Sequence, residues 1–286
     1  MKKILVTGAN GQLGQCLQKI SSQFEEFEFI FTDSETLDIT NKEEVNDFFW
    51  QNAPDFCINA AAYTAVDLAE TDIEKAFLVN ADGTENLAEA CAENNAQFIH
   101  VSTDYVFDGE NNLAYTEEDF TNPLGVYGAS KLAGDELALE VNPCSVILRT
   151  SWVYSEFGKN FVKTMLNLFA TKEELSIVAD QFGQPTNAND LAEAIMKIIK
   201  SEKITPGIFN FSNLGRISWF DFAEKIAELS EAKIKLNAIE TSQYPTPAKR
   251  PKNSVLDLDK ISKTYAIQLK SWEESLEDCV QILQNN

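Results

Sequence analysis

The chain has 286 residues, 44% of them apolar, with 23 Lys and Arg against 45 Asp and Glu for a formal net charge of −22. That length and apolar content are enough for one large domain or two intimate ones. A field of that sign repels phosphate backbones and anionic bilayers, so neither nucleic acid nor a membrane is expected as a partner; a small anionic substrate held by a few local cations is compatible with it.

The segment Met1–Lys3 runs straight into Ile4-Leu5-Val6-Thr7-Gly8, too short for a signal-peptide core. No apolar run approaches the ~20 residues that span a bilayer. Five cysteines, at 16, 57, 91, 144 and 279, are widely spaced and never form a C-x-x-C pair. They read as small core residues of a reducing compartment, which points to the cytoplasm and away from a disulfide framework or a zinc site.

In chain order, strands are expected at 3–7, 28–32, 56–60, 98–102 and 145–150, alternating with helices at 11–22, 41–52, 84–94 and 127–141. Strands that are apolar on both faces suit a parallel sheet covered on both sides. Their alternation with helices predicts an α/β, Rossmann-like doubly wound fold over 1–150. Further on, helices are expected at 160–171 and 189–201, with a strand at 175–179 between them. The strand and helix near 175–201 are expected to return to the first domain. A strand at 208–211 follows the Pro206-Gly207 turn, Ser218 opens a helix to Leu229, and 271–283 forms the last helix. Prolines 245, 247 and 251 mark an irregular loop. Residues 151–286 are therefore read mainly as a smaller substrate-binding region.

The first strand ends in Gly8-Ala9-Asn10-Gly11-Gln12-Leu13-Gly14, and a helix follows. Strand, glycine turn and helix N-terminus form the context of a dinucleotide fingerprint. Gly8 would allow the turn, Gly11 would let a pyrophosphate approach the backbone, and Gly14 would let the helix pack closely. Free amides and the helix dipole favour the anion. Asp33, at the end of the second strand, is either an acid that holds the adenosine ribose, favouring NADH, or a solvated turn residue. Asp38 and Ile39 are placed to meet the adenine. Ala60-Ala61-Ala62-Tyr63-Thr64 follows the third strand with small residues that would let the chain pass close beneath a cofactor.

Tyr127 alone among the tyrosines has a lysine four residues later, Lys131, on one helix face. A phenol with a pKa of ~10 is a poor proton shuttle, and a neighbouring ammonium lowers it. Thr103, at the carboxyl end of the fourth strand, faces the same crevice and completes a triad for carbonyl reduction. His100, the only histidine, is read as a core residue with a satisfied ring. No nucleophile elbow and no multi-histidine metal site are present.

These residues resemble the dTDP-4-dehydrorhamnose reductases, a branch of the extended short-chain dehydrogenase/reductase group. The likeness runs through 8–14, 59–67, 102–109, 122–134, 149–154, 180–186 and 244–254. It implies reduction of the C4 keto group of dTDP-4-dehydro-L-rhamnose by NADPH or NADH. Tyr127 would be the proton donor and Lys131 its electrostatic partner. Thr103 and Asp104 would hydrogen-bond the sugar, Trp152 would pack against the substrate and Arg250 would clamp its pyrophosphate. Outside the resemblance, Trp152 reads as a large core residue and Arg250 as a loop charge. Some family members are dimers joined by magnesium through glutamates. The aligned positions here are Gln15, Asn189 and Gln284, so such a link is not expected, and the chain is read as a monomer or a homodimer. Two other readings stay open: a nucleotide-sugar epimerase or dehydratase using the same pair, and a non-catalytic subunit like the regulatory subunit of methionine adenosyltransferase.

Overall fold

The structure, a computed structural model, describes residues 1–285. Its first half winds a parallel sheet from β1 (Lys2–Thr7), β2 (Phe27–Phe31), β3 (Phe56–Asn59), β4 (Gln97–Thr103) and β5 (Val146–Thr150). Between them run α1 (Gln12–Ser21), α2 (Lys42–Asn52), α3 (Gly83–Glu93) and α4 (Val126–Val141). The second half adds α5 (Phe161–Phe169), β6 (Glu174–Val178), α6 (Ala188–Ile199), β7 (Gly207–Asn210), α7 (Trp219–Leu229), β8 (Lys235–Ile239) and α8 (Trp272–Asn285).

The main sheet has six strands in the order β7-β5-β4-β3-β1-β2, all parallel. Successive side chains of β1 point to opposite layers. Ile4 and Val6 enter a core with α1 and α6, and Leu5 enters a second core with α2 and α3. All three are fully buried, each contributing on the order of 2 kcal/mol. This is why the strand reads as a continuous apolar run. The chain reverses its winding between β1 and β3, so a crevice opens beyond their carboxyl ends, where such sheets take ligands.

One expectation on the organisation needs correcting. The helix expected to return, α6, does pack on α1 through Leu191, Ile195 and Ile198. The strand expected with it does not: β6 pairs in parallel with β8, in a separate small sheet. The strand that returns is β7, paired with β5 through Ile208, Phe209 and Asn210. Both segments are short apolar runs bounded by turns, and the register that decides between them is not a local property. A third core unites Met165, Phe222, Trp272 and Leu276 from α5, α7 and α8. A short helix at Asp259–Tyr265, not expected from sequence, packs Ile261 and Tyr265 on the first core. No helix among the described residues is long and apolar enough to cross a membrane. Four cysteines are buried, but Cys144, expected in the core, is exposed in the turn before β5.

Candidate active site

Two adjoining cavities, of about 360 and 590 Å³, share Gly11, Ala60 and Ala62 and form one crevice across the β1/β3 switch. Gly8 has φ +67°, and a Cβ there would stand 2.6 Å from the Ala60 oxygen. It therefore makes the turn and the close approach to β3 together. A Cβ on Gly14 would lie 2.4 Å from the Gly8 oxygen, so this glycine seats α1 against the turn and does not line the crevice. A Cβ on Gly11 would meet only the Gly8 oxygen, at 3.1 Å, and otherwise extend into open space. With the first amides of α1 lacking intrahelical partners, this cradle fits a pyrophosphate.

Asn10 and Asp33 line the smaller cavity, where the Asn10 amide donates to Asp33 Oδ2 at 2.6 Å. Asp33 Oδ1 accepts from the Glu35 and Thr36 amides and the Thr36 hydroxyl, and these bonds hold its carboxyl below the ordinary range. Asp38 and Ile39 line the same cavity, as do Ala60, Ala61 and Ala62. Gln12, Leu13 and Thr64 line the larger one. Gln12 also ties the two halves of the chain, accepting from Asn160 at 2.9 Å and Ser155 at 3.1 Å. Tyr63 turns its ring away from both cavities. Its hydroxyl donates to Asp72 at 3.2 Å and its ring lines neither cavity. Its backbone matters more, being held from both sides by Asn80, at 2.8 Å to the Tyr63 nitrogen and 3.1 Å to its oxygen.

Tyr127, Lys131 and Thr103 all line the larger cavity. Lys131 is 1% exposed, and its Nζ is 2.8 Å from the Val101 oxygen and 2.9 Å from His100 Nε2. Tyr127 packs edge-on against Tyr105, with ring centres 5.6 Å apart. Its phenol is not lowered in the ligand-free chain. Desolvation pushes it up to about 12, only partly offset by a hydrogen bond with Thr103. The lysine that would lower it is directed at His100 and Val101 instead. Thr103 donates to Asp104 Oδ1 at 3.0 Å and accepts from the Tyr105 amide. Asp104 is 2% exposed, and burial pushes its carboxyl up to about 6 against the Ser254 and Thr103 hydroxyls and the Asp104 and Tyr105 amides, which favour its ionised form. Asp104 Oδ2 has no hydrogen-bond partner among the described residues, an orphan acceptor beside the crevice.

Trp152 lies in the wall of the larger cavity at φ +47°, a rare conformation for a bulky residue. Its indole stacks on Trp219, ring centres 3.5 Å apart and planes 9° from parallel. Gly183 makes room for it, since a Cβ there would stand 2.5 Å from the ring. Trp219 also borders a third cavity of about 460 Å³, with Phe161, Met165, Leu168, Tyr244 and Arg250. Arg250 is not free. Its guanidinium grips Asp67 in a fork, 2.8 and 3.1 Å, because that carboxylate is the nearest anion to it.

Four residues escape the sequence reading. Glu70 accepts from the Val126 amide at 2.9 Å and so caps α4, the helix of Tyr127. Asn80, on a π turn at Leu78–Asp82, joins the Tyr63 loop to Ser130 of α4. Asn59 and Trp219 are the others. A polar residue ending an otherwise apolar strand was the visible signal for Asn59; nothing local distinguished Trp219 from a core tryptophan.

The family model for the RmlD substrate binding domain matches residues 1–285. A dTDP-4-dehydrorhamnose reductase of Aggregatibacter actinomycetemcomitans is 45% identical, over 97% of this chain and 98% of its own. The crystal structure of a Clostridium acetobutylicum dTDP-4-dehydrorhamnose reductase superposes with a TM-score of 0.94 at 43% identity, covering 99% of both chains. The Bacillus anthracis dTDP-4-dehydrorhamnose reductase, solved with NADP, superposes with a TM-score of 0.95 at 39% identity, over 99% of this chain and 100% of that one. A crevice built on the glycine turn and the Tyr127–Lys131 helix, together with likeness along the whole chain, places this protein in the dTDP-4-dehydrorhamnose reductase family.

Proposed function

We propose that the chain reduces the C4 keto group of dTDP-4-dehydro-L-rhamnose to give dTDP-L-rhamnose, with NADPH or NADH as the reductant. The observation that carries this reading is the convergence of Thr103, Tyr127 and Lys131 on the crevice that the glycine turn opens. A bound nicotinamide supplies the hydride. The two smaller-to-larger cavities in line give it room, the adenosine end at Asp33, Asp38 and Ile39 and the reactive end towards Tyr127.

Tyr127 gives its phenolic proton to the C4 oxygen as that oxygen gains charge. Its raised pKa keeps the proton in place at neutral pH, and Lys131 as an ammonium stabilises the phenolate left behind. A positioned general acid of this kind contributes roughly 10²–10⁴-fold. Thr103 and Asp104 orient the sugar, with Asp104 Oδ2 free to accept a hydroxyl. The stacked Trp152 and Trp219 cover the apolar face of the deoxysugar. The third cavity beyond Trp219 takes the nucleotide, with Arg250 leaving Asp67 for the diphosphate.

The amides of Gln15, Asn189 and Gln284 donate to Asn10, Glu156 and Leu229 of the same chain. They offer a divalent cation no charge, so we read the chain as a monomer or a homodimer without a magnesium bridge, working in the cytoplasm. Product analysis tests the function. Incubation with NADPH and dTDP-4-dehydro-L-rhamnose should yield dTDP-L-rhamnose; recovery of a C4 epimer of a nucleotide sugar without net cofactor use, or of unchanged substrate, would overturn it.

A further inference from the structure

The only histidine of the chain stands directly behind Lys131. His100 is fully buried on β4, with Nε2 2.9 Å from Lys131 Nζ and Nδ1 3.0 Å from Asn59 Nδ2. Its protonation follows from neighbours that have no choice. The Ala61 backbone N–H donates to Asn59 Oδ1 at 3.1 Å, and the Thr7 hydroxyl donates to the same oxygen at 2.8 Å. Turning the amide over would set its NH2 against the Ala61 N–H, donor against donor. The Asn59 NH2 therefore points at His100 Nδ1, which must accept. A neutral ring that accepts at Nδ1 carries its proton on Nε2. That N–H faces Lys131 Nζ, and only an amine, not an ammonium, has a lone pair to receive it.

The charges around Lys131 agree. Asp135 lies one turn further along α4, and its Oδ2 is already matched by Arg149 of β5, Nε at 3.3 Å, and by the Ser102 hydroxyl at 2.9 Å. Asp135 Oδ1 is 3.8 Å from His100 Nε2 and has no hydrogen-bond partner among the described residues. Tyr127 on α4 and Asp104 after β4 line the same cavity as Lys131, and burial raises them to about 12 and about 6. An ammonium on Lys131 would share Asp135 with Arg149, one carboxylate between two buried cations. Burial outweighs the opposing pull of Asp135 and pushes Lys131 down to about 8; burial, then the neighbouring Lys131, push His100 well below the imidazole range.

We infer that His100 is a positioning residue: locked by Asn59 as the Nε2–H tautomer, it donates to Lys131 Nζ and favours the amine form of that lysine in the ligand-free chain. Val101 holds the same nitrogen from the other side, so the amine is fixed in place as well as in protonation state. Asn59, which also positions the Ala61 loop of the crevice, thereby links the cofactor cradle to the charge of the catalytic lysine.

One imidazole in the chain makes the test direct. Long-range ¹⁵N–¹H spectra of ligand-free, histidine-labelled protein should show Nε2 protonated, Nδ1 bare and no titration of the ring across the neutral range. A proton on Nδ1, or a ring that titrates there, would overturn the inference. Asn59→Asp keeps an oxygen for the Ala61 N–H and sets a second one against Nδ1. The ring should then flip to the Nδ1–H tautomer, Nε2 should accept from a Lys131 ammonium, and the alkaline limb of kcat/KM should rise by about one pH unit. A flipped ring with an unmoved limb would break the link between His100 and Lys131. A limb that moves while Nε2 keeps its proton would assign the effect to the new carboxylate's charge alone and equally overturn it. The kinetic arm rests on the reductase reading; the spectroscopic arm, on ligand-free protein, does not, so the two fail separately.

Discussion

Replacing Gly14 by alanine sets a methyl carbon 2.4 Å from the Gly8 oxygen and 2.6 Å from the Ala9 Cα, all of it backbone of the turn that ends β1. Alanine in a helix interior gains roughly 0.5–1 kcal/mol over glycine. Overpacking against atoms that cannot rotate away costs about 1–3 kcal/mol, here towards the upper end. The net loss is about 2 kcal/mol, a fall in Tm of roughly 3 °C for a chain of this size. Gly11→Ala differs in kind. Its methyl would meet only the Gly8 oxygen at 3.1 Å, so the ligand-free protein should lose no more than about 1 kcal/mol, the cost of alanine at an N-cap. The same methyl projects into the crevice where a pyrophosphate would touch the backbone, and NADPH affinity should fall at least tenfold, or about 1.4 kcal/mol. Thermal unfolding of the ligand-free variants and fluorescence titration with NADPH separate the two effects. Wild-type affinity in Gly11→Ala, or wild-type stability in Gly14→Ala, would refute the roles assigned to these glycines.

Asp33→Ala should weaken NADH more than NADPH, because it removes both a ribose acceptor and a charge that opposes a 2′-phosphate; equal losses in paired titrations would remove Asp33 from cofactor choice. Asp104 is held protonated more readily in the fold than in the unfolded chain, with its carboxyl raised to about 6. The folded state therefore binds the extra proton between the unfolded and folded values, and Asp104 costs stability as pH rises through that window. Asp104→Asn should stabilise the protein at pH 7 by up to about 3 kcal/mol, with the gain gone by about pH 4, as read from urea unfolding at the two pH values. A gain that persists in acid would contradict the assignment. Arg250→Ala should raise KM for the nucleotide sugar about tenfold or more with a smaller change in kcat, in steady-state assays; the reverse pattern would place Arg250 at the reacting carbon.

The alternating half of the fold was legible because its inner strands are apolar on both faces and its helices follow turns, as at Ile4-Leu5-Val6 before Gly8. The glycine turn and the Tyr127–Lys131 spacing were legible for the same reason: both are local patterns tied to one strand–helix junction. Partner choice was not. Nothing within 174–178 or 207–210 states which of them joins β5, since that depends on where the intervening α6 packs. The direction of the Tyr63 ring was not legible either, because a small-residue loop fixes the path of the backbone and not the ring, which bonds to Asp72. The tyrosine's proton affinity was also misjudged. Spacing brings Lys131 to the same helix face, but the amine bonds to whatever lies nearest, and here that is His100 and Val101. Arg250 illustrates the same point, read as a pyrophosphate clamp and found in a fork with Asp67.

Single-turnover oxidation of NADPH by dTDP-4-dehydro-L-rhamnose, followed by loss of the reduced nicotinamide's absorbance in wild type and Tyr127→Phe side by side, tests the central claim most directly. The wild type should oxidise one equivalent of NADPH per keto sugar. Tyr127→Phe should bind NADPH within a few-fold of wild type and turn over roughly 10²–10⁴-fold more slowly. Equal rates in the two proteins would remove Tyr127 as the proton donor, and a wild type that binds NADPH without oxidising it would contradict the reductase itself.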